Sequence, residues 1–167
     1  MANYFSEWIV ARETPSKVKA VRALLIVVSI LGVALIVLVP YVGFLLEAGI
    51  VFLAYLYIAN NSYVEWEYSF ADKTLFVDKI MGRAKRKKMG EFELSNMEVA
   101  AFNDSYHIKE YDKKELKTFD FTSLNPDKKK FAIILPHNNE TVKVLIEPDD
   151  RMLKELKDIA PRQVHND

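Results

Sequence analysis

Cysteine is absent from this chain of 167 residues, which excludes disulfides, cysteine–zinc sites and thiol nucleophiles. Histidine is scarce. His107, His137 and His165 stand far apart, none with a second histidine one helical turn away or in an HExxH arrangement, so no metal site is expected. The five glycines form no GxGxxG or P-loop phosphate cradle and no G-x-S-x-G nucleophile elbow. Net charge is missing too: 23 basic residues balance 23 acidic ones, so no global field draws the chain towards nucleic acid. With no catalytic residue to name and no cofactor to hold, a non-catalytic protein is the expectation. The last scarcity is local. From Ala23 to Ala59 a single charged residue, Glu47, interrupts an apolar run.

That run is too long and too oily for the core of so small a domain, and it reads as membrane-embedded. The polar lead-in before it and the lack of a small-x-small site after it argue against a cleaved signal peptide. Thr14-Pro15-Ser16 marks a helix start, with Thr14 as cap and Pro15 at the first helical position. Pro40 and Gly43 fall where a turn would divide the run into spans of about 23–39 and 42–59 within a hairpin over 15–60. The first span rises about 26 Å at ~1.5 Å per residue, close to the ~30 Å hydrocarbon core. In the second, the Val, Leu, Ile and Phe residues contribute roughly −3 to −6 kcal/mol of insertion energy. That offsets an acid costing on the order of 3 kcal/mol.

Arg12, Lys17, Lys19 and Arg22 precede the first span. Lys73, Lys79 and the run Arg83, Lys85, Arg86, Lys87, Lys88 follow the second, and the proposed tip carries neither Lys nor Arg. The positive-inside rule then gives a multi-pass protein of the inner (plasma) membrane with both termini cytoplasmic. Glu47 is either an intramembrane polar site or an acid about one turn from the tip that snorkels to water. The lack of a second intramembrane charge favours the snorkelling reading.

Residues 1–14 are read as an interfacial segment: Tyr4, Phe5, Trp8 and Ile9 share one face of a short helix. Such a helix would lie in the membrane interface or pack on the following domain. After the hairpin the period becomes two. Val64, Trp66, Tyr68 and Phe70 alternate with Glu65, Glu67 and Ser69, the mark of a half-buried strand. Further strands are expected over 74–80, 89–94, 97–102, 119–121, 131–135 and 141–147, with an irregular polar connection over 103–116. From Asp149 the spacing of Met152, Leu153, Leu156 and Ile159 turns helical. Asp149 and Asp150 suit the positive end of that helix, which spans 149–160, and a loose tail follows over 161–167.

About seven strands in hairpin order, closed by one C-terminal helix, resembles a pleckstrin-homology-like (PH-like) β-barrel or sandwich over 61–160, a mainly antiparallel α+β domain. Tyr68, Leu75, Val77, Gly82, Arg86, Phe92 and Leu94 fall in the order seen in bacterial PH-like domains that follow transmembrane pairs. The basic run is denser here, and Phe92-Glu93 replaces the common Ile-Pro step. VDKIMGRAKRKK at 77–88 and IEPDDRMLKELKDIAPRQV at 146–164 make the chain similar to a family of small clostridial-type bacterial two-transmembrane proteins. No activity is assigned to that family, so the resemblance implies architecture only.

Arg83, Lys85, Arg86, Lys87 and Lys88 are the candidate lipid- or partner-binding residues, since juxtamembrane basic clusters attract anionic headgroups. The competing reading is a solvated edge strand that blocks edge pairing. No aromatics interleave the run, which argues against nucleic acid. The expected function is a membrane-anchored interaction or scaffold module, with membrane lipid, a protein partner or its own copies as what it meets. The alternative is an accessory subunit of a membrane transporter or envelope enzyme.

Overall fold

The computed structural model describes residues 6–61, 63–82 and 85–165. The chain divides into two compact units. One comprises Glu13–Val64 with Met81–Lys85, and the other holds the remaining described residues.

The first unit is a helical hairpin. Helix α1 spans Ser16–Leu38 and α2 spans Pro40–Asn61, each long and apolar enough to cross a membrane. Pro15, rather than Thr14, is the N-cap of α1, and its carbonyl accepts from the Val18 and Lys19 N–H groups at 2.9 and 3.1 Å. Only Val39 separates the helices. Pro40 opens α2 where its missing N–H costs nothing. Gly43 then lies on the close approach between the helices: a Cβ there would sit 2.6 Å from both the N and the Cα of Ile36. Almost no side chain of either helix is buried, and Leu31, Leu45 and Phe52 are exposed. In water that surface would be far larger than a soluble domain tolerates.

The second unit contains two four-stranded sheets. The first has strands β1 (Ser6–Arg12), β2 (Val64–Ala71), β3 (Thr74–Met81) and β4 (Lys85–Glu93), in the order β1-β2-β3-β4. Asp72 and Lys73 both adopt positive φ, at 48° and 64°, the geometry of a type I′ hairpin turn. The second sheet has β5 (Val99–Phe102), β6 (Lys117–Asp120), β7 (Phe131–His137) and β8 (Glu140–Ile146), in the order β5-β7-β8-β6. Asn138 and Asn139 repeat the positive-φ turn between β7 and β8. Helix α3 is a single turn at Tyr106–Lys109, and α4 runs Asp150–Ile159. The Asp149 carboxylate caps α4 by accepting from the Met152 N–H at 2.8 Å.

Period-two burial puts Tyr68, Phe70, Leu75, Val77 and Phe92 in the core facing the second sheet. β7 is buried along Phe131–Leu135 because both its faces are covered. On the far face Ala132 and Ile134 pack with Val99, Ala101, Leu145 and Ile108. Ile108 and its partly buried neighbours Tyr111 and Leu116 come from the stretch expected to be merely irregular.

Several expectations are corrected. Residues 6–12 form a strand instead of an interfacial helix (Tyr4 and Phe5 lie outside the described residues). Trp8, Ile9 and Val10 favour extended backbone, β2 supplies a ladder, and so short a helix cannot nucleate alone. β4 begins at Lys85, not Met89, so the basic run is part of the strand. β6 pairs with β8 in parallel, outside simple hairpin order. The tail is tied down through His165: the Ala100 N–H donates to the Gln163 carbonyl, and the His165 N–H donates to the Ala100 carbonyl, both at 2.8 Å. This adds a short parallel bridge on the open edge of β5.

Gly43→Ala should lower the thermal stability of the detergent-solubilised chain, because its Cβ meets helix backbone. Gly49→Ala, with nothing within 4 Å of the new Cβ, should leave it unchanged or raise it by up to about 1 kcal/mol through helix propensity. Equal effects at both positions would contradict the close approach at Gly43.

Candidate functional site

The basic run sits on β4, and a strand sends successive side chains to opposite faces. Arg83 lies outside the described residues. Arg86 reaches across β3 to Glu67 on β2, Nη2 to Oε1 at 2.9 Å. Glu67 is 4% exposed, and its second oxygen is buried without a partner, so the arginine balances a carboxylate that would otherwise be stranded. The guanidinium itself is 60% exposed, so water screens the pair, and losing the arginine would be felt mainly as a buried carboxylate left without its counter-charge. Lys88 pairs with Glu91 at 2.5 Å and lies 5.4 Å from the Phe76 ring centre. Two of the run's charges are therefore compensated on the sheet's outer face.

Glu67 faces outwards because Trp66 and Tyr68 on either side of it point at the second sheet. Arg86 joins Glu67 on that outer face, whereas Phe92, of the same parity, enters the core against Phe119 and Phe121. The strand must therefore take an extra residue between them, a β-bulge. Gly90 lies in this interval, and a Cβ there would run into the Phe92 ring. Lys85 and Lys87 emerge on the opposite side from Arg86.

On that inner side the structure assembles residues that the run alone does not reveal. The Arg12 guanidinium lies 5.5 Å from the centre of the Trp66 ring, and its Nε is buried without a partner. Half-buried Lys79 has its pKa lowered, first by desolvation and then by the charges of Arg12 and Lys87. The signal in the sequence was the shared parity of Leu75, Val77 and Lys79, which carries a lysine to the end of a core-facing row.

A buried polar cluster joins the sheets. The Trp66 Nε1–H donates to the Thr122 carbonyl at 3.2 Å, and the Tyr68 hydroxyl donates to the Phe121 carbonyl at 2.5 Å. Glu147 Oε1 accepts from the Ser123 N–H at 2.9 Å and from its hydroxyl at 2.8 Å. Asp120 Oδ1 accepts from both the N–H and the hydroxyl of Thr122, at 2.9 and 2.7 Å. Leu124 follows with φ 66°, a strained position for a γ-branched residue. The cluster fixes the crossover from β6 to β7.

Glu47 is about two turns into α2, farther from the tip than expected. Its carboxyl lies against Gly32 of α1, where a Cβ would overlap it. Its Oε2 is buried without a partner, so the snorkelling reading is replaced by a carboxyl turned into the interface between the helices. A groove of about 430 Å³ also lies between the helices, lined by Leu25, Ile26, Ile30, Val33 and Val51, with Arg22 and Ser29 as its polar residues.

His107 stacks on His165 at 3.8 Å between ring centres, and His137 packs 5.0 Å from Phe92. Among the described residues no group of three or more His, Asp or Glu could hold a metal ion.

Two sheets built largely from antiparallel neighbours, closed by a C-terminal helix and joined to two span-length apolar helices, define a PH-like domain on a helical hairpin. The chain belongs to the bacterial PH-like domain family (DUF6106), whose model matches residues 2–166. No curated protein and no solved structure matches it.

Tyr68→Phe strands the buried Phe121 carbonyl and should cost about 1 to 3 kcal/mol. Burial raises the Tyr68 pKa above its ordinary 10.0, opposed by a hydrogen bond with the Glu147 backbone and helped by the charges of Glu147 and Asp120. This contribution to stability is complete below pH 10.0 and falls as pH rises past it, because only the unfolded phenol ionises. Chemical unfolding at about pH 8 and about pH 11 should show the substitution's penalty shrinking at the higher pH. A constant penalty would show that Tyr68 ionises equally in both states.

Proposed function

We propose that the protein is a membrane-anchored, non-catalytic interaction module that presents its PH-like domain to the cytoplasm from the inner membrane. The carrying observation is the hairpin. Its two span-length helices are separated only by Val39, with no basic residue at the tip and Lys or Arg flanking both other ends. That distribution supports cytoplasmic termini. The exposed basic strand β4, with Lys85 and Lys87 on its inner side, supports contact with anionic lipid. A protein partner or a second copy of the chain is the other class of ligand for this domain, and the balanced net charge speaks against nucleic acid.

The absence of cysteine makes single introduced thiols clean reporters of topology. Tyr41→Cys, at the exposed tip, should react with a membrane-impermeant maleimide in intact cells. Glu110→Cys, on the exposed surface beyond α3, should react only after permeabilisation. The reverse pattern would invert the topology, and immediate labelling at both positions would remove the anchor.

A second reading, an accessory subunit of a membrane transporter or envelope enzyme complex, is favoured by Glu47. Its buried, unpartnered oxygen would be satisfied by a donor from another membrane subunit. On this reading Glu47→Leu weakens co-purification of that subunit while leaving the hairpin folded. Retention of every membrane partner through Glu47→Leu would count against it.

A further inference from the structure

We infer that Arg12, Lys79 and Lys87, arrayed across the inner side of the first sheet with Trp66 as their shelf, bind a phosphate-ester anion. The inference rests on the proposed function only in taking this domain to be a recognition unit. It assigns the ligand class and separates the residues that bind from those that merely make β4 basic.

The register brings the groups together. The Asp72–Lys73 turn sets Ala71 across from Thr74, and counting back from it sets Trp66 across from Lys79. The Gly82 N–H donates to the Tyr63 carbonyl at 3.0 Å, so the same register holds beyond that point. β1 and β4 flank this pair. Arg12 on β1 reaches over the Trp66 ring. Lys79 and Lys87 stand equally far from the strand ends that the β3–β4 connection joins. Each of the four strands thus contributes one residue to a single transverse row.

The row is electrostatically unsatisfied. Among the described residues no carboxylate pairs with Arg12, Lys79 or Lys87, whereas Arg86 and Lys88 on the other face each have one. Like charges held together are repulsive, and after desolvation the charges of Arg12 and Lys87 lower the Lys79 pKa further. The buried Arg12 Nε–H has no acceptor, and burying a donor unpaired costs free energy that an arriving oxygen would recover. Trp66 has already committed its own N–H to Thr122 and is buried, so its ring backs the Arg12 guanidinium while the cations offer the hydrogen bonds. Three converging cations exceed what one carboxylate would neutralise. A phosphate monoester, with a charge of about −1.5 to −2 and three acceptor oxygens, matches them better.

The source of the phosphate is either a lipid headgroup or a soluble ester, and one experiment separates them. The full chain carrying Trp8→Phe keeps Trp66 as its only tryptophan, a reporter inside the row. It is reconstituted in neutral phosphatidylcholine nanodiscs and titrated with inorganic phosphate. Parallel nanodiscs contain increasing phosphatidic acid. Both sides of a nanodisc are open, so the outcome does not depend on membrane orientation and can fail while the topology stands.

A saturable change in Trp66 emission is expected, and Lys79→Gln with Lys87→Gln should raise the half-saturating level by about tenfold. Lys88→Gln, on the opposite face, should change it by less than about twofold. Saturation with inorganic phosphate supports a soluble ester, and saturation only with phosphatidic acid supports a headgroup. The inference is overturned if neither titration moves Trp66 emission. It is equally overturned if Lys88→Gln weakens the response as much as the double variant does, since that is the behaviour of a diffuse basic surface.

Discussion

Two hydrogen bonds hold the β unit together as one object. Trp66 and Tyr68 leave the same face of β2 and end on consecutive carbonyls, those of Thr122 and Phe121. Each large aromatic buries apolar area against the second sheet while its polar tip satisfies a backbone group that the crossover leaves without a ladder partner. The Ser123–Glu147 contact locks the next residue. With the crossover fixed, β6 can lie parallel to β8 and the chain can return through β7, a connection that a plain hairpin series does not produce.

The sequence announced whatever depended on composition or on a sustained period. The hairpin was legible because its apolar run is long enough for two span-length helices and breaks at Pro40. β2 was legible from strict alternation, and α4 from helical spacing that ends at Pro161. The first strand was misread because the aromatic pairs at 4–5 and 8–9 also fit a helical face, and only the neighbouring edge of β2 decides between the two. The parallel pairing of β6 was hidden because partner choice is a long-range matter that Lys117–Asp120 does not encode locally. The stretch 103–116 is polar on average, yet Ile108, Tyr111 and Leu116 close the far side of the second sheet.

The candidate site shows the same limit. Five basic residues within six positions suggested one patch, whereas strand geometry separates those described into two populations with different surroundings. Arg86 offsets a buried acid and so belongs to the fold. Lys87 joins Lys79 across the connection between β3 and β4, and Arg12 from the far end of the chain, which becomes a neighbour only through strand order. Charge left uncompensated by the rest of the molecule destabilises it slightly, and natural sequences tolerate that where function requires it.

The junction at Val39 bears on biogenesis. A hairpin whose tip has one connecting residue and no charge presents almost nothing polar to be carried across a bilayer. The two helices can therefore partition together as a preformed pair, without a translocated loop and without a stage in which the second helix waits in water. Gly43 lets the backbones meet closely enough for such a pair to form before it is surrounded by lipid.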